Sequence, residues 1–293
     1  MKPAFCNQPI SVEVVIMSYK TMLVYLNDKS TAEHVLVSAI ALARKHDAHL
    51  IGLHVDSLFQ VHSVVGADAN PGIALTQNKM QEFEAADIEK IFETNTKKEG
   101  ISAEWRLVQA HSSLIASVVA NHARCADLII AGQVNPEHDD KYVSDILEGF
   151  LIDTGRPVLV IPYVGKYENI GENITFAWNA SRESARAAFA AMPAFKMAEK
   201  VTILWVNAGK EGDDLPGAEI ATSLARHGVN VETKHSVSEL PEVGDEILSR
   251  ISDFSSDLLV MGAYGHSRLR EFIFGGASHH ILRHMTVPVL MVH

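Results

Sequence analysis

The residues from Gly262 to Ser278 carry the groups in this chain best suited to gripping an anion. Gly262 and Gly265 let the backbone turn tightly and approach a ligand with no Cβ in the way. Gly275 and Gly276 stand at the head of a helical pattern that holds Ile281 and Leu282. A helix start offers unpaired amides and partial positive charge, which is the chemistry of phosphate binding. Ala277 and Ser278 follow, the serine adding a hydroxyl donor, while Arg268 and Arg270 supply cationic charge from the intervening loop. A second segment, Trp178-Asn179-Ala180-Ser181, closes an apolar run upstream. In an open parallel sheet, ligands bind beyond the carboxyl ends of the strands, where strand order reverses. Both segments are expected there.

Other groups are weaker candidates. His280 and His284 are four apart and share one helix face; with His279 and His266 they have the donors for zinc. Histidines near a helix C-terminus have a duller explanation, as capping groups that favour the dipole, and zinc is not expected. Glu183 and Glu271 adjoin the two segments and read as solvated carboxylates. The sequence contains no Gly-x-Ser-x-Gly elbow and no Gly-x4-Gly-Lys-Ser/Thr loop. No catalytic residue is assigned.

The elements that must position these groups repeat along the chain. Asp127-Leu-Ile-Ile-Ala-Gly132 matches Asp257-Leu-Leu-Val-Met-Gly262, and Arg156-Pro-Val-Leu-Val-Ile161 matches Val287-Pro-Val-Leu-Met-Val292, at offsets of 130 and 131 residues. Leu23-Val-Tyr-Leu-Asn27 matches Thr175-Phe-Ala-Trp-Asn179 at 152, so the first copy holds about twenty more residues in its middle. In each copy, short Val/Leu/Ile-rich runs alternate with helical patterns, as in a parallel sheet covered on both faces. Strands are predicted near 20–26, 49–55, 103–108, 127–131 and 157–161, and again near 174–178, 200–206, 230–235, 257–261 and 288–292. Ser30-Thr-Ala-Glu33 reads as a capping box and Ser181 as the matching cap in the second copy. Residues 76–98 read as an amphipathic helix with Met80, Phe83, Ile88, Ile91 and Phe92 on one face. Residues 57–74, with Asn70-Pro71-Gly72, read as an apolar loop that covers a sheet edge or flanks a cavity, the first being favoured, and 163–173 as the linker.

Composition fits two ordinary domains: 293 residues, 47% hydrophobic and 21% charged. A net charge of -11 disfavours nucleic acid and anionic membranes as partners, since both need a basic surface. Cys6 and Cys125 form no CxxC pair, a pattern that suits a reducing cytoplasm. No apolar run is long enough for a membrane span. Residues 1–16 read as an extension upstream of Met17, or as the product of a misplaced start.

Gly262, Gly265 and Gly275 have the spacing Gly-x2-Gly-x9-Gly, and with the Val-Pro-Val-Leu strand downstream the chain resembles the universal stress protein family in its tandem form from Met17 onward. The resemblance implies an α/β fold of two tandem open, mostly parallel five-stranded sheets, Rossmann-like in order 3-2-1-4-5. Its domains would be 17–164, degenerate, and 165–293, carrying the motif. It implies ATP or a related adenine nucleotide as ligand, with Mg. Asn179 would stand where the family has an aspartate near the adenosine, and Val206 near the adenine. Gly262 and Gly265 would line ribose and phosphate, and Gly275, Gly276 and Ser278 would hold the phosphates. It also implies that the two fifth strands pair, making the chain a pseudo-dimer, with room for a homodimer beyond it. Two positions depart from the family: Gly276 replaces a Ser/Thr, and Asn179 an acid.

The first copy lacks the motif. Asn135 takes the second glycine's place, Ser144-Asp145-Ile146-Leu147 replaces Gly275 to Ser278, and Asp145 would repel a phosphate. The reading reached is a cytoplasmic stress protein whose second copy binds adenine nucleotide, regulatory in role and at most a slow ATPase because no general base is identifiable. Two alternatives stand beside it: a binding module for an apolar or acyl ligand or zinc, and a nucleotide-independent scaffold.

Overall fold

The computed structural model describes residues 18–58, 71–135, 141–207, 217–238, 243–263 and 276–293. The expected extension at 1–16 lies outside them. The first copy runs β1 (Thr21–Tyr25), α1 (Lys29–His46), β2 (His49–Leu58), α2 (Pro71–Lys98), β3 (Ala103–His111), α3 (Ile115–Ala123), β4 (Leu128–Gly132), α4 (Lys141–Asp153) and β5 (Val158–Ile161). The second runs β6 (Asn173–Ala177), α5 (Arg182–Ala190), α6 (Met192–Met197), β7 (Lys200–Val206), α7 (Ala218–Arg226), β8 (Val231–Ser236), α8 (Val243–Asp253), β9 (Leu258–Gly262), α9 (Ala277–His284) and β10 (Val289–Val292).

The order 3-2-1-4-5 holds in each copy, as β3-β2-β1-β4-β5 and β8-β7-β6-β9-β10. The two halves are not separate sheets. β5 and β10 pair antiparallel, Leu159 opposite Leu290, and fuse them into one ten-stranded sheet. Within a copy every pairing is parallel. Two cores follow, one on each face and each spanning both copies. Leu36, Phe92, Phe176 and Phe195 belong to the face covered by α1, α2, α5, α6 and α7. Val119, Phe150, Ile251 and Ile281 belong to the face covered by α3, α4, α8 and α9.

The repeated aspartates explain one of the sequence matches. Asp127 accepts from the amides of Lys20 and Thr21 at 2.8 and 3.0 Å. Asp257 does the same for Gly171 and Glu172 at 2.8 and 2.9 Å. In each copy, the start of the fourth strand thus clamps the entry of the first, with charge-assisted bonds.

Several local expectations are corrected. Asp28, not Ser30, caps α1: its carboxylate accepts from Thr31 N at 3.0 Å, and Ser30 donates to it. The helix starts at Lys29, so Asp28 stands at the N-cap and Ser30 falls in the first turn. Phe83 is 74% exposed, off the stripe formed by Ala85, Ile88 and Phe92, because five residues before Ile88 is about 140° around the helix. The loop expected at 57–74 is shorter. β2 extends to Leu58 and α2 begins at Pro71, a residue whose fixed φ and missing N–H suit the first helical position; residues 59–70 lie outside the described set. Ser181 caps α5 as expected, accepting from Ser184 N at 3.1 Å. No helix among the described residues is long and apolar enough to cross a membrane.

His46 ends α1 in a narrow cavity between the copies, lined also by Tyr19, Leu42, Leu159 and Leu290. Burial, reinforced by the charges of Lys45 and Lys20, pushes its pKa down to about 4. The folded protein therefore disfavours the imidazolium. The stabilisation from keeping His46 neutral is fully present above about pH 6.5, the free imidazole value. It fades as pH falls from there toward 4, by a total on the order of 2 kcal/mol. Urea unfolding at pH 7.5 and 4.5 is expected to show this loss, and His46→Gln to reduce it.

Candidate functional site

The crevice implied by the topology lies at the carboxyl ends of β6 and β9. These strands are neighbours from which the chain departs in opposite directions, to β7 on one side and β10 on the other. β6 ends at Ala177 and leads through Trp178 to Asn179, which is exposed. Asn179 Oδ1 accepts from Ser181 N at 3.1 Å, a short turn that carries Ala180 at φ 57°. Val206 is half-buried at the end of β7 beside Ser236. The structure thus places Asn179, Val206 and Gly262 at the same end of adjacent strands. Gly265, Arg268 and Gly275 lie outside the described residues, as do Arg270, Glu271 and His266.

Gly262 meets α5. A Cβ there would sit 2.5 Å from Ser184 N and 2.6 Å from Glu183 C, both backbone atoms. The glycine lets the first turn of α5 press onto the end of β9. Gly276 is different: it is the N-cap of α9 at φ −86° and ψ 161°, and among the described residues nothing lies within 4 Å of its would-be Cβ. No side chain of this residue caps the helix. The first amides with an acceptor in the helix are those of His279 and His280, both bonded to Gly276 O at 3.1 and 3.2 Å. Those of Ala277 and Ser278 precede it, as in any helix start. Ser278 is buried and Ala277 half-buried.

The first copy holds this helix at both ends. Gln133 Nε2 donates to Leu282 O at 2.7 Å and its Oε1 accepts from Tyr163 N at 3.0 Å. In the first turn, His279 Nδ1 lies 3.1 Å from Glu148 Oε1 of α4. His280 Nε2 is 2.8 Å from Asp245 Oδ1 of α8, and its ring centroid is 4.6 Å from that of His284. The histidines are thus turned to different carboxylates. Among the described residues, no group of three or more His, Cys, Asp or Glu could hold a metal ion.

The equivalent place in the first copy is built differently. α4 and α9 end at residues 131 apart, Asp153 and His284, yet α4 is 13 residues long and α9 only 8. Ser144 to Leu147 are therefore inside a helix, not at its mouth. The amides of Asp145 to Leu147 fall where helical bonds to residues 141–143 consume them. Asp145 is exposed on the helix surface, so spent amides, rather than its charge, remove the anion site.

Sequence reasoning missed Glu183. It is not solvated: 4% of the residue is exposed. The signal was present in the helix period, since Glu183, Ser184, Ala187, Ala188 and Ala191 form one buried stripe.

The universal stress protein family profile matches residues 18–135 and 198–293. A curated universal stress protein of Synechocystis sp. is 27% identical over 148 residues, which is 49% of this chain and 49% of that protein. The chain thus spans about half the length of the curated relative it matches. Among solved structures, a universal stress protein from Archaeoglobus fulgidus superimposes with a TM-score of 0.71 at 17% identity, covering 94% of this chain and 96% of that one. A functionally unknown protein from Pseudomonas aeruginosa superimposes with a TM-score of 0.55 at 15% identity, covering 94% and 92%. At such identities the likeness is one of fold.

Proposed function

The chain belongs to the universal stress protein family, and on that footing we propose that its second copy binds ATP or a related adenine nucleotide and acts as a regulatory stress protein of the cytoplasm. The observation that carries this reading is the head of α9, where an uncrowded glycine opens a helix beside the strand ends. Its amides and dipole favour a phosphate. Gly262, Gly265 and Gly275 would let the backbone come close to the ligand, Arg268 would offset its charge, and Val206 would flank the base. Mg, where present, would ride on the phosphates, since Asn179 is neutral and its oxygen is already engaged. The first copy is structural in this scheme, because its matching amides are inside α4.

Calorimetry of the full chain with ATP tests it. One site per chain is expected, because one copy has the helix mouth. Two sites, or no heat, would overturn the reading. Native mass spectrometry of the purified protein should show a retained adenine nucleotide. A lipid or zinc mass in its place would favour a binding module of another kind.

A further inference from the structure

Resting on that reading of the second copy, we infer that Glu183 is the acceptor for the ribose hydroxyls of the nucleotide and makes the site selective for ribo- over 2′-deoxyribonucleotides. Glu183 is the second residue of α5, in the turn that presses on Gly262, where β6 and β9 diverge. Its side chain is 6% exposed, and its ion-pair partner among the described residues is Arg182, 3.7 Å away and itself 83% exposed. Among the described residues no hydrogen-bond donor reaches its carboxylate. Glu246 of the same copy shows how this chain treats a carboxylate it buries for structure. It takes bonds from Ser236 Oγ and Arg250 Nε, which hold its carboxyl below the usual range. Glu183 has no such set.

A carboxylate so enclosed, with no donor among the described residues, gains from a ligand that brings donors. Around the switch point of an open α/β sheet, the donors an adenine nucleotide offers to an acid are its ribose hydroxyls. The neighbouring Asn179 is poorly suited to accept them, being neutral and with its Oδ1 already taken by Ser181 N. The acid that this crevice lacks at the end of its first strand is thus supplied one turn later, from the helix.

Calorimetry with ATP and 2′-deoxy-ATP on the full chain, on Glu183→Gln and on Glu183→Ala tests this. The unaltered chain is expected to prefer ATP by roughly tenfold to a hundredfold, the range for a hydrogen bond to a charged group. Glu183→Gln should shrink the preference to a few-fold and Glu183→Ala abolish it, by weakening ATP and leaving the deoxynucleotide near its starting affinity. Equal affinity for the two nucleotides in the unaltered chain would overturn the role of Glu183 and leave nucleotide binding standing. No binding of either would overturn both. Should the variants fold poorly, the comparison in the unaltered chain still decides. Glu183→Gln is isosteric and sheds a buried charge, so its thermal midpoint is expected at or above that of the parent.

Discussion

Gly276→Asp is expected to weaken ATP binding by at least about tenfold while leaving the protein as stable as before, or slightly more so. The residue has φ −86°, and no described residue lies within 4 Å of a Cβ placed there, so an aspartate fits without backbone strain. At an N-cap its carboxylate accepts from the first amides of α9, worth a few tenths of a kcal/mol over glycine, and its charge favours the helix dipole. The same carboxylate occupies the place of a phosphate and repels it; a tenfold loss needs only about 1.4 kcal/mol, which two anions a few ångströms apart readily supply. Calorimetry and thermal unfolding on one preparation check both signs. Unchanged affinity would remove the helix mouth from the binding site.

Gly262→Ala is expected to act the other way, costing about 1–3 kcal/mol of folding stability. The added methyl would lie 2.5 Å from Ser184 N and 2.6 Å from Glu183 C. Both are backbone atoms in a turn fixed by the Ser181 cap, so they cannot swing aside as a side-chain tip would. Gly276→Ala is the comparison, since its backbone angles suit any residue and no described residue crowds it, so that only the poorer N-cap, under about 1 kcal/mol, is lost. Urea unfolding should separate the pair, with the midpoint lowered more for Gly262→Ala. Equal midpoints would mean that α5 yields at little cost. The two glycines share one motif, yet one serves the packing of α5 and the other opens toward solvent.

The order of elements was legible in the sequence because the signals agreed. Repeated Asp-Leu and Pro-Val-Leu runs marked strands four and five, and Ser181 marked a helix start. What escaped depended on neighbours distant in sequence. Asp28 and Ser30 are both capping types, and the choice between them turns on where α1 starts, at Lys29, which leaves Asp28 outside to accept from Thr31 N. Phe83 is apolar and near the stripe of α2, yet it lies 74% exposed. Glu183 reads as a surface charge until the first turn of α5 is seen pressed onto Gly262. In the candidate site, strand ends and the mouth of α9 could be placed from spacing. The length of α4, which disqualifies the first copy, could not be read from its aligned residues.

The antiparallel seam between β5 and β10 has a directional consequence. Each copy is parallel within itself, so reversing one against the other points the carboxyl ends of their strands toward opposite poles of the molecule. A ligand seated in the second copy is out of reach of anything docked at the strand ends of the first. News of occupancy would have to cross the equator through the body of the protein, and the contacts of Gln133 and Glu148 with α9 are among the bridges laid across it.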